Sequence, residues 1–253
     1  MFNSILLIAK NTFREILRDK ILYALIIISL IMLGFASAMA ELSFAEQAKI
    51  TMDFTIVVLN VSIVIISIFL GAQLLSREVE NKTLLTLLTH PVSRSQLLVG
   101  KILGIFFIVF CVTIFFSIIL FMQSTYYQYG NAIELLVIMY GLLLESLIIL
   151  SLTIFLSCFL RVSIVVTGSI SVYLVGHWMD SLKETSAADS ASHIYSFLKY
   201  SFPNLEMMNW KSLLAGNIEL TNIFFAKVSL YSALWVVLYL FLAIIIFNKK
   251  DIS

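Results

Sequence analysis

The stretch FTIVVLNVSIVIISIFLGAQLL, residues 54–75, runs for 22 residues without a charged side chain. A helix needs roughly 20 mostly apolar residues to cross about 30 Å of hydrocarbon. Inside lipid the backbone polar groups must pair among themselves, and a helix does this within one segment. Residues 54–75 are therefore read as a transmembrane helix. The same reading applies to residues 21–39, 102–122, 133–160, 162–179 and 223–247. The expected fold is an all-α integral membrane protein with six transmembrane helices, forming a single transmembrane domain over residues 1–253.

Composition agrees with that reading. Hydrophobic residues make up 61% of the 253 residues and charged residues only 12%; mean hydropathy is +1.04. Soluble domains carry about 25% charged and 45–50% apolar residues, so the apolar excess here has to face lipid. A formal net charge of +1 argues against a nucleic-acid partner, which needs a clustered basic surface. Cys111 and Cys158 fall in apolar runs and read as small buried hydrophobes. No cleaved signal peptide is expected, because the segment before the first long apolar run lacks a short apolar core with a small-residue cleavage site.

The basic residues alternate between the two sides of the six crossings. Lys10, Arg14, Arg18, Lys20, Arg77, Lys82, Arg94, Lys101, Arg161, Lys249 and Lys250 share one side, and Lys49, Lys183, Lys199, Lys211 and Lys227 the other. Short cytoplasmic segments hold the excess of Lys and Arg. Both termini and the 76–101 loop are thus expected in the cytoplasm, and the protein in the cell (inner) membrane.

Outside the crossings, residues 1–20 place Phe2, Ile5, Leu6, Ala9, Phe13, Ile16 and Leu17 at three- and four-residue steps, with Lys10, Arg14 and Arg18 on the opposite face. This predicts an interfacial helix lying on the lipid bilayer. The 76–101 loop carries Leu84, Leu85, Leu87 and Leu88 as a short helix-like patch ended by Pro91, a form suited to docking into another protein. Residues 180–221 read as an external loop, polar from 181 to 192 and then aromatic up to Pro203, with Trp178 and Trp210 expected at one interfacial level.

Motifs of enzyme chemistry are missing. No GxxxxGK[ST] loop occurs, so the chain is not expected to hydrolyse ATP by itself. His90, His177 and His193 have no ligand spacing and read as loop or interface histidines. No Met or His cluster suggests copper or any other metal. Glu145, near the middle of the fourth crossing, is the main candidate, since an intramembrane carboxylate is costly and faces the bundle interior or water. It reads either as a functional group or as a packing carboxyl beside Ser146 and Ser151. Asn60 and Gln73 in the second crossing read as helix-to-helix hydrogen-bonding groups, and Lys227 as a snorkelling lysine.

Residues 53–104 carry a family likeness. Glu78, Glu80, Thr83, the block Pro91-Val92-Ser93-Arg94, and Gly100 with Lys101 follow the second crossing; FREILRDK precedes the first, and Pro203-Asn204-Leu205-Glu206 precedes the last. As a set these resemble the permease subunits of type-2 ABC transporters, in particular the NosY-like branch of multi-copper enzyme maturation permeases. Asn81-Lys82 departs from relatives, which often carry Arg there.

The resemblance implies a non-catalytic subunit acting as a homodimer above two ATPase subunits, which bind ATP and Mg while this chain binds no cofactor. It implies an elbow helix at the N-terminus and a coupling helix in the 76–101 loop. There Glu78, Glu80 and Arg94 are expected to make polar contacts and Leu84, Leu87 and Leu88 an apolar knob, with Thr83, Pro91 and Lys101 completing the set. Substrate export driven by ATP is the implied function. The rivals are a membrane subunit relaying ATPase motion to an external accessory protein, and a proton-coupled secondary transporter built on Glu145.

Overall fold

The computed structural model describes residues 2–41, 47–80, 94–185, 198–211, 214 and 222–249. Among these the only regular structure is helical: α1 (Phe2–Leu17), α2 (Lys20–Glu41), α3 (Gln47–Glu80), α4 (Arg94–Tyr127), α5 (Ala132–Ser157), α6 (Val162–Thr185) and α7 (Asn222–Lys249), with a 3₁₀ turn over Glu206–Met208. Five helices, α3 to α7, are long and apolar enough to span a bilayer among the described residues. The sixth expected crossing, 21–39, falls on α2, whose apolar part is described as Lys20–Phe35 and is shorter than that standard.

Except for α5, which stops at Ser157, short of the expected 160, the helices outrun the expected crossings. Both α3 and α4 are 34 residues long, so each extends about 50 Å at 1.5 Å per residue. Helical structure consequently takes up both ends of the expected 76–101 loop, and α6 likewise continues to Thr185 into the expected external loop. The turns between helices are tight where described. Gln128 (φ 52) and Gly130 (φ 84) adopt left-handed conformations between α4 and α5, and four residues join α5 to α6.

α3 and α5 form the centre, with Ile63, Ile66, Ile148 and Ile149 almost fully buried between neighbouring helices. The outer faces of α2, α4, α6 and α7 expose Ile31, Phe107, Leu174 and Leu234, which is how a bundle solvated by lipid looks. Small polar groups join the helices. Thr55 on α3 donates to Gln123 on α4, whose amide donates to Ser37 on α2 at 3.2 Å. Tyr140 and Ser229 link α5 to α7 at 3.0 Å, and Thr153 donates to Ser169 across α5 and α6 at 3.0 Å. Interhelical contacts of this kind, with small residues at close approaches, hold bundles together where lipid is as apolar as the core.

α1 is not simply a helix laid on the surface. Thr12 and Ile16 are buried against α4, and Phe13 meets Phe107 edge-on at 5.1 Å between ring centroids. Gly100 and Gly104, one turn apart on α4, make room for this. A Cβ on Gly100 would stand 2.8 Å from the Ile8 side chain, and one on Gly104 would stand 2.8 Å from the Ala9 carbonyl oxygen. The apolar residues of α1 thus divide between a face on α4 and three exposed leucines, Leu6, Leu7 and Leu17, while Arg14 and Arg18 are exposed.

Candidate functional site

Glu145 lies on α5 with its side chain fully enclosed, and it is not solitary. Its Oε1 is 2.7 Å from Nε2 of His177 on α6, and its Oε2 accepts from Asn60 Nδ2 on α3 at 3.2 Å. The other ring nitrogen of His177, Nδ1, is 2.9 Å from Oε2 of Glu206. A single imidazole therefore bridges two carboxylates, and three helices meet at the bridge.

The segment carrying Glu206 is pressed onto the bundle by sequence-specific means. Leu205 N–H donates to the Gly176 carbonyl at 3.2 Å, Asn204 N–H donates to the Tyr231 hydroxyl at 2.8 Å, and Glu206 N–H donates to Asn204 Oδ1 at 3.0 Å. Two glycines admit it. A Cβ on Gly176 would fall 2.7 Å from Leu205, and one on Gly141 would fall 2.5 Å from the Met208 carbonyl oxygen. Leu205, Met208 and Trp210 are buried as a result, with Trp210 Nε1 donating to the Met207 carbonyl at 2.8 Å.

Proton counting constrains the cluster. An ionised carboxylate can only accept, so two imidazole-to-carboxylate hydrogen bonds need at least two protons among the three groups. With two, they are carried either by an imidazolium between two carboxylates or by a neutral imidazole with one carboxylic acid, and the net charge is −1; a third proton on a carboxyl keeps both bonds and makes the cluster neutral. Glu206, outside the helical spans, is held below the usual carboxyl value of 4.5 first by the His177 hydrogen bond, with burial opposing and Asn209 assisting. Asn209 Nδ2 donates to Glu206 Oε1 at 2.8 Å.

A cavity of about 160 Å³ opens beside the cluster, walled by Asn60, Val61, Tyr173, His177, Asn209 and Lys211. Tyr173 also packs edge-on against the His177 ring at 4.8 Å. Among the described residues no group of three His, Cys, Asp or Glu could hold a metal ion.

Of the sequence candidates, the structure brings together Glu145 and Asn60. Ser146 and Ser151 do not serve Glu145; they donate to carbonyls of their own helix, Leu143 and Ile148, each at 2.8 Å. Gln73 and Lys101 are half-buried on α3 and α4, away from the cluster. Thr83, Leu84, Leu87, Leu88 and Pro91 lie outside the described residues, as do the side chains of Glu78, Glu80 and Arg94, although α3 reaches Glu80 and α4 begins at Arg94.

Of the loop-or-interface reading of His177, the loop is set aside: it sits on α6, two residues before the apolar span ends at Met179, with its side chain 22% exposed and both nitrogens engaged. Of the two tryptophans, Trp210 is buried and Trp178 exposed. Glu206 was marked only by its place in the Pro-Asn-Leu-Glu motif. The signal for both partners was Glu145 itself, because a buried carboxylate requires a proton-bearing neighbour.

No curated protein matches the sequence. The sequence model of the ABC-2 family transporter protein matches residues 6–252, nearly the whole bundle together with the segment that bears Glu206. The chain belongs to the ABC-2 family of transporter proteins.

Proposed function

We propose that this chain is the non-catalytic permease subunit of an ATP-binding cassette exporter, related to the NosY-like branch through residues 53–104 and 203–206. It works as a homodimer in the cell inner membrane, with both termini in the cytoplasm and two separate ATPase subunits that bind ATP and Mg. Family membership over residues 6–252 carries this reading. The form of α3 and α4 supports it. Each is about 20 Å longer than the hydrocarbon is thick, and together they flank residues 81–93. A docking element there is attached to two stiff levers. ATP binding moves it, and the bundle changes its opening because the docked contacts differ between two states.

The test is ATPase stimulation by the permease in the reconstituted complex. Leu87→Asp or Arg94→Glu should lower stimulation about tenfold, as expected for losing roughly 1.4 kcal/mol of docking, while membrane insertion stays intact. Stimulation equal to that of the parent chain would sink the proposal. The proton-coupled alternative draws less support: among the described residues the hydrogen-bonded path from Glu206 through His177 and Glu145 ends at Asn60, with no carboxylate or imidazole continuing it.

A further inference from the structure

α1 meets α4 through Thr12 and Ile16, and the face it turns away from α4 is neither plainly polar nor plainly apolar. Lys10, Arg14 and Arg18 stand exposed there at four-residue steps, about 6 Å apart along the axis. Arg18 lies in the turn that closes the helix, its N–H donating to the Glu15 carbonyl at 3.1 Å. Exposed leucines bracket the three cations: Leu6 and Leu7 lie one turn before Lys10, and Leu17 one turn after Arg14. Glu15 is the only carboxylate on α1, and none of the three cations is in an ion pair among the described residues. Such a face suits neither water nor hydrocarbon alone. It suits the boundary between them, where leucines dip among acyl chains and long basic side chains reach back to the head groups.

The depth of this face identifies the surface that meets it. Asp19 alone separates the turn at Arg18 from α2, its Oδ1 accepting from Ile21 N–H at 3.0 Å. Ile21 and Tyr23 are exposed on α2 and open an apolar face that continues through Ile27 and Ile28. Arg18 thus stands one turn from the level where apolar side chains begin to face outward, which is the level of lipid head groups. Gly100 and Gly104 fix the face there by holding α1 against the α4 backbone.

We propose that the exposed face of α1 binds anionic phospholipid, with Lys10, Arg14 and Arg18 on the head-group phosphates and Leu6, Leu7 and Leu17 among the acyl chains. A zwitterionic lipid carries its own cation beside its phosphate, so three uncompensated cations select a head group of net negative charge. The site is a property of this chain alone, independent of how an ATPase is coupled to it.

The test is native mass spectrometry of the delipidated full chain in uncharged detergent, titrated with dioleoyl phosphatidylglycerol or dioleoyl phosphatidylcholine. A basic residue near an anionic surface is worth about fivefold in binding, so phosphatidylglycerol should bind at least about tenfold more tightly. The preference should vanish in the triple variant Lys10→Gln, Arg14→Gln, Arg18→Gln. It should persist when Lys49, Lys199 and Lys227, exposed elsewhere, are changed to Gln instead, and when Arg14 and Arg18 are changed to Lys. Glycerol 1-phosphate, a head group without chains, should not displace the bound lipid. Equal binding of the two lipids, an unchanged preference in the first triple variant, or displacement by glycerol 1-phosphate overturns the proposal. A first triple variant that keeps its lipid but loses a protein subunit from the complex assigns the face to a protein partner and overturns it equally. Should that variant fail to fold, ionic strength decides: the preference of the parent chain must shrink as ammonium acetate is raised, and a preference indifferent to salt sinks the proposal. ATPase stimulation plays no part in this measurement, so its outcome and that of the coupling test are separable.

Discussion

At the residue scale, Glu145 depends on His177, since its fully enclosed carboxyl has only Asn60 besides. Removing one partner of a buried ionic set leaves the other uncompensated, a loss of about 3–5 kcal/mol. His177→Leu should destabilise the protein by that amount in chemical denaturation in micelles. Adding Glu145→Leu should cost less than the sum of the two single changes, since the double variant has no stranded carboxyl in the bundle.

Acid acts through Glu206. Its folded value lies below the unfolded one of 4.5, so the bond to His177 contributes fully above that pH and fades as pH falls through the folded value. Hydrogen exchange over residues 203–210 should accordingly accelerate below about pH 4.5, and Glu206→Gln should flatten the dependence. Glu145 was legible in the sequence as an expensive intramembrane carboxylate. Its partners were not, because they lie 32 and 61 positions further along, and only the packing of α5, α6 and the Pro203 segment brings the three together.

At the element scale, hydropathy located the spans but not their ends. The apolar run of α3 stops near residue 75, whereas its helix continues to Glu80; leaving lipid changes which side chains are favoured without breaking the backbone ladder. Gly100-Lys101 entered the sequence reading only as part of the family likeness. Its significance is steric: Gly100 and Gly104 let α1 reach the backbone of α4 in the small-xxx-small manner of membrane helices. Gly104→Leu should lower stability by about 1–3 kcal/mol through overpacking, seen as a reduced unfolding temperature of the purified protein. An equal unfolding temperature in this variant would show that α1 contributes no stability through α4.

At the scale of the whole molecule, a helical class with several apolar spans, five of them long enough to cross among the described residues, could be read from composition and run length because lipid imposes so uniform a demand on the chain. The placing of residues 203–210 could not. It depends on two glycines, Gly141 and Gly176, whose effect is visible only once the helices are side by side. The His177 bridge then has a mechanical meaning. Pulling α5 away from α6 would leave a charge without its counterpart in a medium unable to solvate it, and pulling either from α3 would strip Glu145 of Asn60. These three helices and the Pro203 segment are clipped into one block, so any opening of the subunit has to hinge elsewhere, on the side where α1, α2 and α4 meet the rest.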